Sequence, residues 1–115
     1  MGNENSLRLN GRIWIETDQG RLLGHGRVEL MERIGESGSI RQAALQMKMS
    51  YRQAWDYVKV LNEGFDEPVI VSVRGGKGGG NASLTEKGLQ VIKRFHALNV
   101  LFQAFLKEQE QQIGL

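Results

Sequence analysis

Alternation opens the chain. From Leu7 to Thr17, Leu7, Leu9, Ile13 and Ile15 fall on one side of an extended backbone, and Arg8, Asn10, Arg12, Trp14 and Glu16 on the other. A period of two is that of a half-buried strand. Asp18-Gln19-Gly20 reads as a turn and Arg21-Leu22-Leu23 as the return, so residues 7–23 predict a hairpin. Gly24 and Gly26 break the pattern, and near Arg27 the spacing becomes helical. Val28, Leu30, Met31 and Ile34 gather on one side, Glu29, Glu32, Arg33 and Glu36 on the other, and Gly38 stops the helix.

Two capping signals follow in quick succession. Ser39 stands three residues before Gln42, and Ser50 three before Gln53, each the pattern of a capping box. The first opens a short helix with Ile40, Ala43, Ala44 and Met47 inward, where the alanines let a neighbouring helix approach closely. The second opens a helix to about Phe65, with Ala54, Val58, Leu61 and Phe65 on its buried face. Only Lys48 and Met49 separate the two, which describes a helix-turn-helix. Asp66-Glu67-Pro68 ends the third helix. The β-branched run Val69–Val73, a glycine-rich tip to Asn81 and the return Ala82-Ser83-Leu84 then predict a two-stranded wing.

Thr85 opens a long final helix, to about Gln112. Its apolar residues trace two faces, one through Ile92, Phe95, Phe102 and Phe105, the other through Val91, Leu98, Leu101 and Phe105. That arc is wider than the ~100° stripe of a helix docked on one domain. It predicts a dimer interface of Leu89, Ile92, Phe95, Leu98, Leu101, Phe102 and Phe105 against a second copy. The alternative is that the N-terminal strand covers the arc within one monomer. The expected fold class is therefore α+β, a winged helix-turn-helix over residues 1–115 as one domain. Its parts are a hairpin at 7–23, three helices at 27–65, a wing at 69–84 and a dimerisation helix at 85–112.

Composition narrows the chemistry. At 115 residues the chain has the length of one domain, and it has no cysteine, which excludes disulfides, a thiolate nucleophile and cysteine-based zinc sites. No apolar run reaches the ~20 residues of a membrane helix and the first ten residues lack the apolar core of a signal peptide, so a cytoplasmic protein without membrane contact is expected. The net charge is only +2, but from Ser39 to Lys59 four basic residues (Arg41, Lys48, Arg52 and Lys59) face a single acid, Asp56. A basic helix-turn-helix is the electrostatic footprint of nucleic-acid binding, although a solvated basic helix face has the same charge.

The glycine tip is not a nucleotide loop. A P-loop places Lys-Ser/Thr after its last glycine and opens a helix, whereas Lys77 is followed by Gly78 and the tip leads to a strand. Glycines that let backbone approach a sugar-phosphate chain, with charge from Arg74 and Lys77, explain it better. His25 and His96 are far apart in sequence and lack carboxylates at ligand spacing. No catalytic residue, metal ligand or cofactor is expected, and Asn81-Ala82-Ser83 carries no glycosylation meaning without a signal peptide.

On the third helix, Tyr51, Arg52, Trp55, Asp56 and Lys59 face away from the apolar side. Arg52 can read guanine and Gln53 adenine, while Ser50 can meet phosphate at the helix N-terminus; Trp55 suits core and DNA equally. Ser39, Arg41 and Gln42 would contact the backbone from the second helix, and Arg74, Lys77, Gly78, Gly79 and Asn81 from the wing. Duplex DNA is thus the expected partner. The alternative is a dimeric winged-helix adaptor for protein contacts, and a small enzyme ranks behind both.

Met49-Ser50-Tyr51-Arg52-Gln53-Ala54-Trp55-Asp56, Gly75-Gly76-Lys77-Gly78-Gly79-Gly80-Asn81-Ala82 and Leu84-Thr85-Glu86-Lys87-Gly88 together resemble the DNA-binding domain of ModE-type molybdate-responsive regulators. The likeness runs from Leu7 to about Phe105, and the helix-turn-helix with its long helix is also similar to LysR-type N-terminal domains. The resemblance implies a transcription regulator that dimerises through its last helix. It implies, too, C-terminal molybdate-binding β-barrels, which have no counterpart in these 115 residues. The expected setting is therefore molybdenum-related regulation, with the effector, the operator and the sign of control open.

Overall fold

The N-terminal alternation does not become a long strand. In the computed structural model, which describes residues 6–73 and 81–114, pairing is confined to β1 (Ile15–Thr17) and β2 (Gly20–Leu23). The antiparallel register sets Thr17 opposite Gly20 and Glu16 opposite Arg21, then slips so that Ile15 faces Leu23. With four residues in β2, the preceding segment has no strand beside it to pair its backbone groups. Leu9 and Ile13 are half-buried as expected of the apolar side, but Leu7 and Ile15 are exposed.

Helix α1 (His25–Ser37) buries Val28, Leu30, Met31 and Ile34, each about 1.5–3 kcal/mol of transfer free energy. Gly38 closes it in the left-handed region (φ 71°), its N–H donating to the Ile34 carbonyl at 2.8 Å. Helices α2 (Ile40–Gln46) and α3 (Tyr51–Gly64) begin where the capping serines predict. The Ser39 hydroxyl accepts the Gln42 N–H and the Ser50 hydroxyl the Gln53 N–H, both at 3.0 Å. The boxes are not reciprocal, however, because the Gln53 amide donates to the Tyr57 hydroxyl (3.0 Å). Between the helices Lys48 sits at φ 57°, an uncommon conformation for a residue with a Cβ. Ala43, Ala44 and Ala54 are buried where α2 meets α3.

Strands β3 (Ile70–Val73) and β4 (Asn81–Leu84) form the wing, with Ile70 opposite Leu84 and Val73 opposite Asn81. Asn62 fastens it to α3. Its Oδ1 accepts the N–H groups of Val69 (2.8 Å) and Ile70 (3.0 Å), and its Nδ2 donates to the Ile70 carbonyl (2.9 Å). At the other edge the Ala82 N–H donates to the Gly38 carbonyl at 2.9 Å.

Helix α4 (Glu86–Ile113) spans 28 residues, about 42 Å. The Thr85 hydroxyl caps it by accepting the Gly88 N–H (3.0 Å) while donating to the Pro68 carbonyl (2.7 Å). Glycine is required at Gly88, since a Cβ there would overlap the Val69 carbonyl oxygen. Lys87 pairs with Asp66 at 2.9 Å, and that hydrogen bond holds the Asp66 carboxyl below its ordinary value and the Lys87 ammonium above its own. The first half of α4 delivers Val91 and Phe95 to the core. The second half carries the N-terminal segment: the Leu9 N–H donates to Glu110 (2.8 Å), and Gly11 lies against Phe102 and Leu106. The result is an α+β winged helix-turn-helix with an N-terminal hairpin and a long last helix. Among the described residues no helix is long and apolar enough to cross a membrane.

Candidate nucleic-acid interface

Burying Ala54, Val58 and Leu61 turns the opposite side of α3 to solvent. Arg52, Asp56 and Lys59 stand there exposed, and among the described residues none has a hydrogen-bond or ion-pair partner. Such groups lose no intramolecular contact when they meet a ligand.

Beside this row lies an ordered aromatic ledge. The Arg41 guanidinium of α2 stacks over the Tyr51 ring at 4.4 Å, and Tyr51 meets Trp55 edge-on at 6.3 Å. Tyr51 and Trp55 are 39% and 37% exposed, so Trp55 is neither core nor free of the fold. The stack fixes a delocalised cation at the mouth of the turn without neutralising it.

Ser39 and Ser50 occupy the N-termini of α2 and α3, with their hydroxyls engaged as caps. Gln42 is exposed on α2, and Gln53 on α3 is held by Tyr57. Asn81 is exposed at the start of β4, while Arg74, Lys77, Gly78 and Gly79 lie outside the described residues.

Spacing gave no sign of a second set of cations. Arg27 stacks over Tyr57 of α3 at 4.7 Å and donates to the carbonyls of Arg21 (2.7 Å) and Leu22 (2.9 Å). Arg21 stacks on Trp14 at 3.9 Å. Arg27 and Tyr57 are 30 positions apart, beyond any local pattern. Of the histidines, His25 packs edge-on to Phe95 (5.3 Å) and His96 bonds Glu32 (2.8 Å). Among the described residues no group of three or more His, Cys, Asp or Glu is placed to hold a metal ion.

The residues expected at a dimer interface divide. Phe95 is 1% exposed and Ile92 packs against the same core, so the Phe95 side chain is not offered to a partner. Phe102 is half-buried under Gly11, which makes the intramolecular covering real for that side of α4. Leu89, Leu98, Leu101 and Phe105 remain exposed, the last two at 67% and 56%.

No protein-family model matches the chain. It is 34% identical over 109 residues to the molybdenum transport protein ModE of Azotobacter vinelandii, covering 95% of this chain and 40% of that protein. It is 36% identical over 96 residues to the molybdenum-pterin-binding protein MopB of Rhodobacter capsulatus, covering 84% of this chain and 36% of the other. To the DNA-binding transcriptional dual regulator ModE of Escherichia coli it is 38% identical over 72 residues, 63% of this chain and 28% of the relative. The chain thus spans well under half the length of the curated relatives it matches. Among solved structures, a ZitR mutant of Lactococcus lactis superimposes with a TM-score of 0.53 at 24% identity, over 97% of this chain and 73% of that one, a likeness of fold.

Proposed function

The chain belongs to the ModE-type regulators, matching the Azotobacter vinelandii relative over 95% of its own length and 40% of that protein, and from this we propose a sequence-specific DNA-binding role in molybdenum-linked transcription, exercised as a dimer. The observation that carries it is the row Arg52, Asp56 and Lys59 on α3, without partners among the described residues and edged by the Arg41–Tyr51–Trp55 stack. Helix α3 enters the major groove. Arg52 donates to a guanine edge, Asp56 accepts from a cytosine amino group, and Gln53 turns from Tyr57 to an adenine. Arg41, Gln42 and Lys59 meet phosphates, and the N–H groups that open α2 and α3 beyond Ser39 and Ser50 assist them. Asn81 and the glycine tip with Arg74, Lys77, Gly78 and Gly79 contact the backbone from the wing.

The exposed stripe Leu98, Leu101 and Phe105 pairs with its copy in a second chain across a two-fold axis, while Leu89, about 120–180° away around the helix, faces the α1 and β4 side and lies outside it. Recognition helices so related address half-sites about 34–36 Å apart or a multiple of that. Selection of bound sequences from random duplexes tests both parts. A two-fold symmetric site is expected, and recovery of no enriched sequence would sink the proposal.

Arg52→Ala tests the readout itself. Binding to the selected site should weaken by about 1–3 kcal/mol, with relaxed preference at one base pair. Equal weakening on selected and random duplexes, measured by fluorescence anisotropy, would make Arg52 a phosphate contact instead.

A further inference from the structure

Helix α3 carries a hairpin on each flank. Asn62 holds the β3–β4 wing on one side. On the other, Tyr57 lies beneath Arg27, and Gly64 lies so close to Leu22 of β2 that a Cβ there would overlap it. Positions 57 and 62 point about 140° apart around the helix, with the outward row between the two hairpins on the far side from the core. Thr17, Gln19 and Arg21 of the N-terminal hairpin form a groove with Val60 and Glu63 of α3. Arg21 also lines an adjoining hollow of about 380 Å³ with Arg12, Arg27 and His25. That hollow has three guanidinium groups in its wall and no acidic residue.

Stacking makes these cations more than a solvated fringe. Arg21 is held on Trp14 and Arg27 on Tyr57, so both guanidiniums are placed before any ligand arrives, while Arg12 is exposed. A planar guanidinium held by its face leaves its edge for the paired oxygens of a phosphate; on Arg27 the Nη1 hydrogens are spent on the Arg21 and Leu22 carbonyls, and the Nη2 and Nε side of the edge remains. A polyanion suits such a wall, and the wall stands next to α3: the hairpin meets that helix at Val60 and Gly64, and Arg27 of α1 bridges the two by stacking on Tyr57 and donating to the Arg21 and Leu22 carbonyls.

We propose that the N-terminal hairpin is a second wing, whose Arg12 and Arg21, together with Arg27 in the first turn of α1, grip the phosphates of duplex DNA on the side of α3 opposite the β3–β4 wing. This rests on the DNA-binding reading above. It extends each half-site outward by backbone contacts that carry no base preference of their own. Glu63 is the one acid lining the adjoining groove, and its like charge disfavours phosphate there relative to the arginine wall.

The test uses the full chain with Arg12→Ala and Arg21→Ala combined. Arg27 is left in place because its carbonyl contacts belong to the fold. Affinity for the selected duplex is followed against salt, and phosphate contacts are mapped by ethylation interference on the unmodified and the doubly substituted chain. Two lost phosphate contacts should lower the salt slope by about two units, so that the affinity ratio of the two proteins changes about tenfold between about 50 and 200 mM salt. Interference at the outer phosphates should disappear while base preference stays. Arg21→Lys should restore part of the slope. An unmodified chain that binds no duplex overturns both the DNA reading and this one. An unmodified chain that binds, with the same slope and interference pattern in the variant, overturns the second wing alone. So does saturation by inorganic phosphate in titration calorimetry with the outer contacts unchanged, which would give the hollow to a free anion. Interference on the unmodified chain decides the matter even if the double variant does not fold.

Discussion

Replacing Phe95 by alanine is expected to destabilise the fold of each chain, not to separate two copies of it. The apolar pattern of the last helix gives no way to tell Phe95 from Phe105: both lie in the same wide arc. The fold separates them. Phe95 is 1% exposed, edge-on to His25 at 5.3 Å, and packs with Val91 and Val28 in the core that α1 and α4 share. Phe95→Ala should therefore cost about 3–5 kcal/mol, the lost transfer free energy plus the cavity left behind. Against a total stability of about 5–15 kcal/mol, that is a large fraction. Urea unfolding followed by circular dichroism is the measurement. The midpoint should fall sharply at every protein concentration tested. An unchanged unfolding free energy, with association lost, would return Phe95 to an interface.

The opposite outcome is expected for Leu101→Glu combined with Phe105→Glu. Both side chains are more than half exposed, so the monomer loses little packing. A carboxylate introduced on each would have to be buried without a partner at the proposed two-fold interface. Circular dichroism and the monomer's unfolding should be nearly unchanged, while sedimentation equilibrium at micromolar concentration should show monomers where the unmodified chain forms dimers. Binding to a symmetric duplex should weaken about 100-fold or more, because a linked second half-site is lost. An unmodified chain that sediments as a monomer, or a variant that stays dimeric, would remove this stripe from the interface.

The sequence was most legible where structure is local. A serine three residues before a glutamine marks the openings of α2 and α3, and Ser39 and Ser50 cap them as read. Gly38 ends α1 because few other residues take its φ of 71° at little cost. The wing follows from the β-branched run Val69–Val73 before the glycines, with Ala82-Ser83-Leu84 as its return. What failed were inferences that needed a distant partner. Residues Leu7 to Trp14 alternate like a strand, yet a strand is a relation between two segments, and β2 is too short to supply the second. The segment turns to α4, whose Phe102 and Leu106 offer the apolar surface that its own alternation was built to meet. The candidate site divides the same way. Arg52, Asp56 and Lys59 were legible from helical spacing alone. Arg27 on Tyr57 and Arg21 on Trp14 were not, because a stacking pair between separate elements leaves no periodic trace.

The continuity of α4 has a consequence for the way an operator can be laid out. The chain's single proline is Pro68, and the one glycine early in the helix, Gly88, sits in its first turn, so nothing between Phe95 and Phe105 can act as a joint. One rigid rod therefore carries both the anchor in the core and the apolar stripe beyond it, and the angle between them is counted in residues. Inserting one residue between Phe95 and Leu98 would swing the stripe by about 100° relative to α3 while leaving the core intact; inserting four would bring it back to within about 40° and about 6 Å further out. Spacing and orientation of the half-sites are thus written into helical phase, a quantity that point substitutions leave untouched and that a change of chain length alters at once.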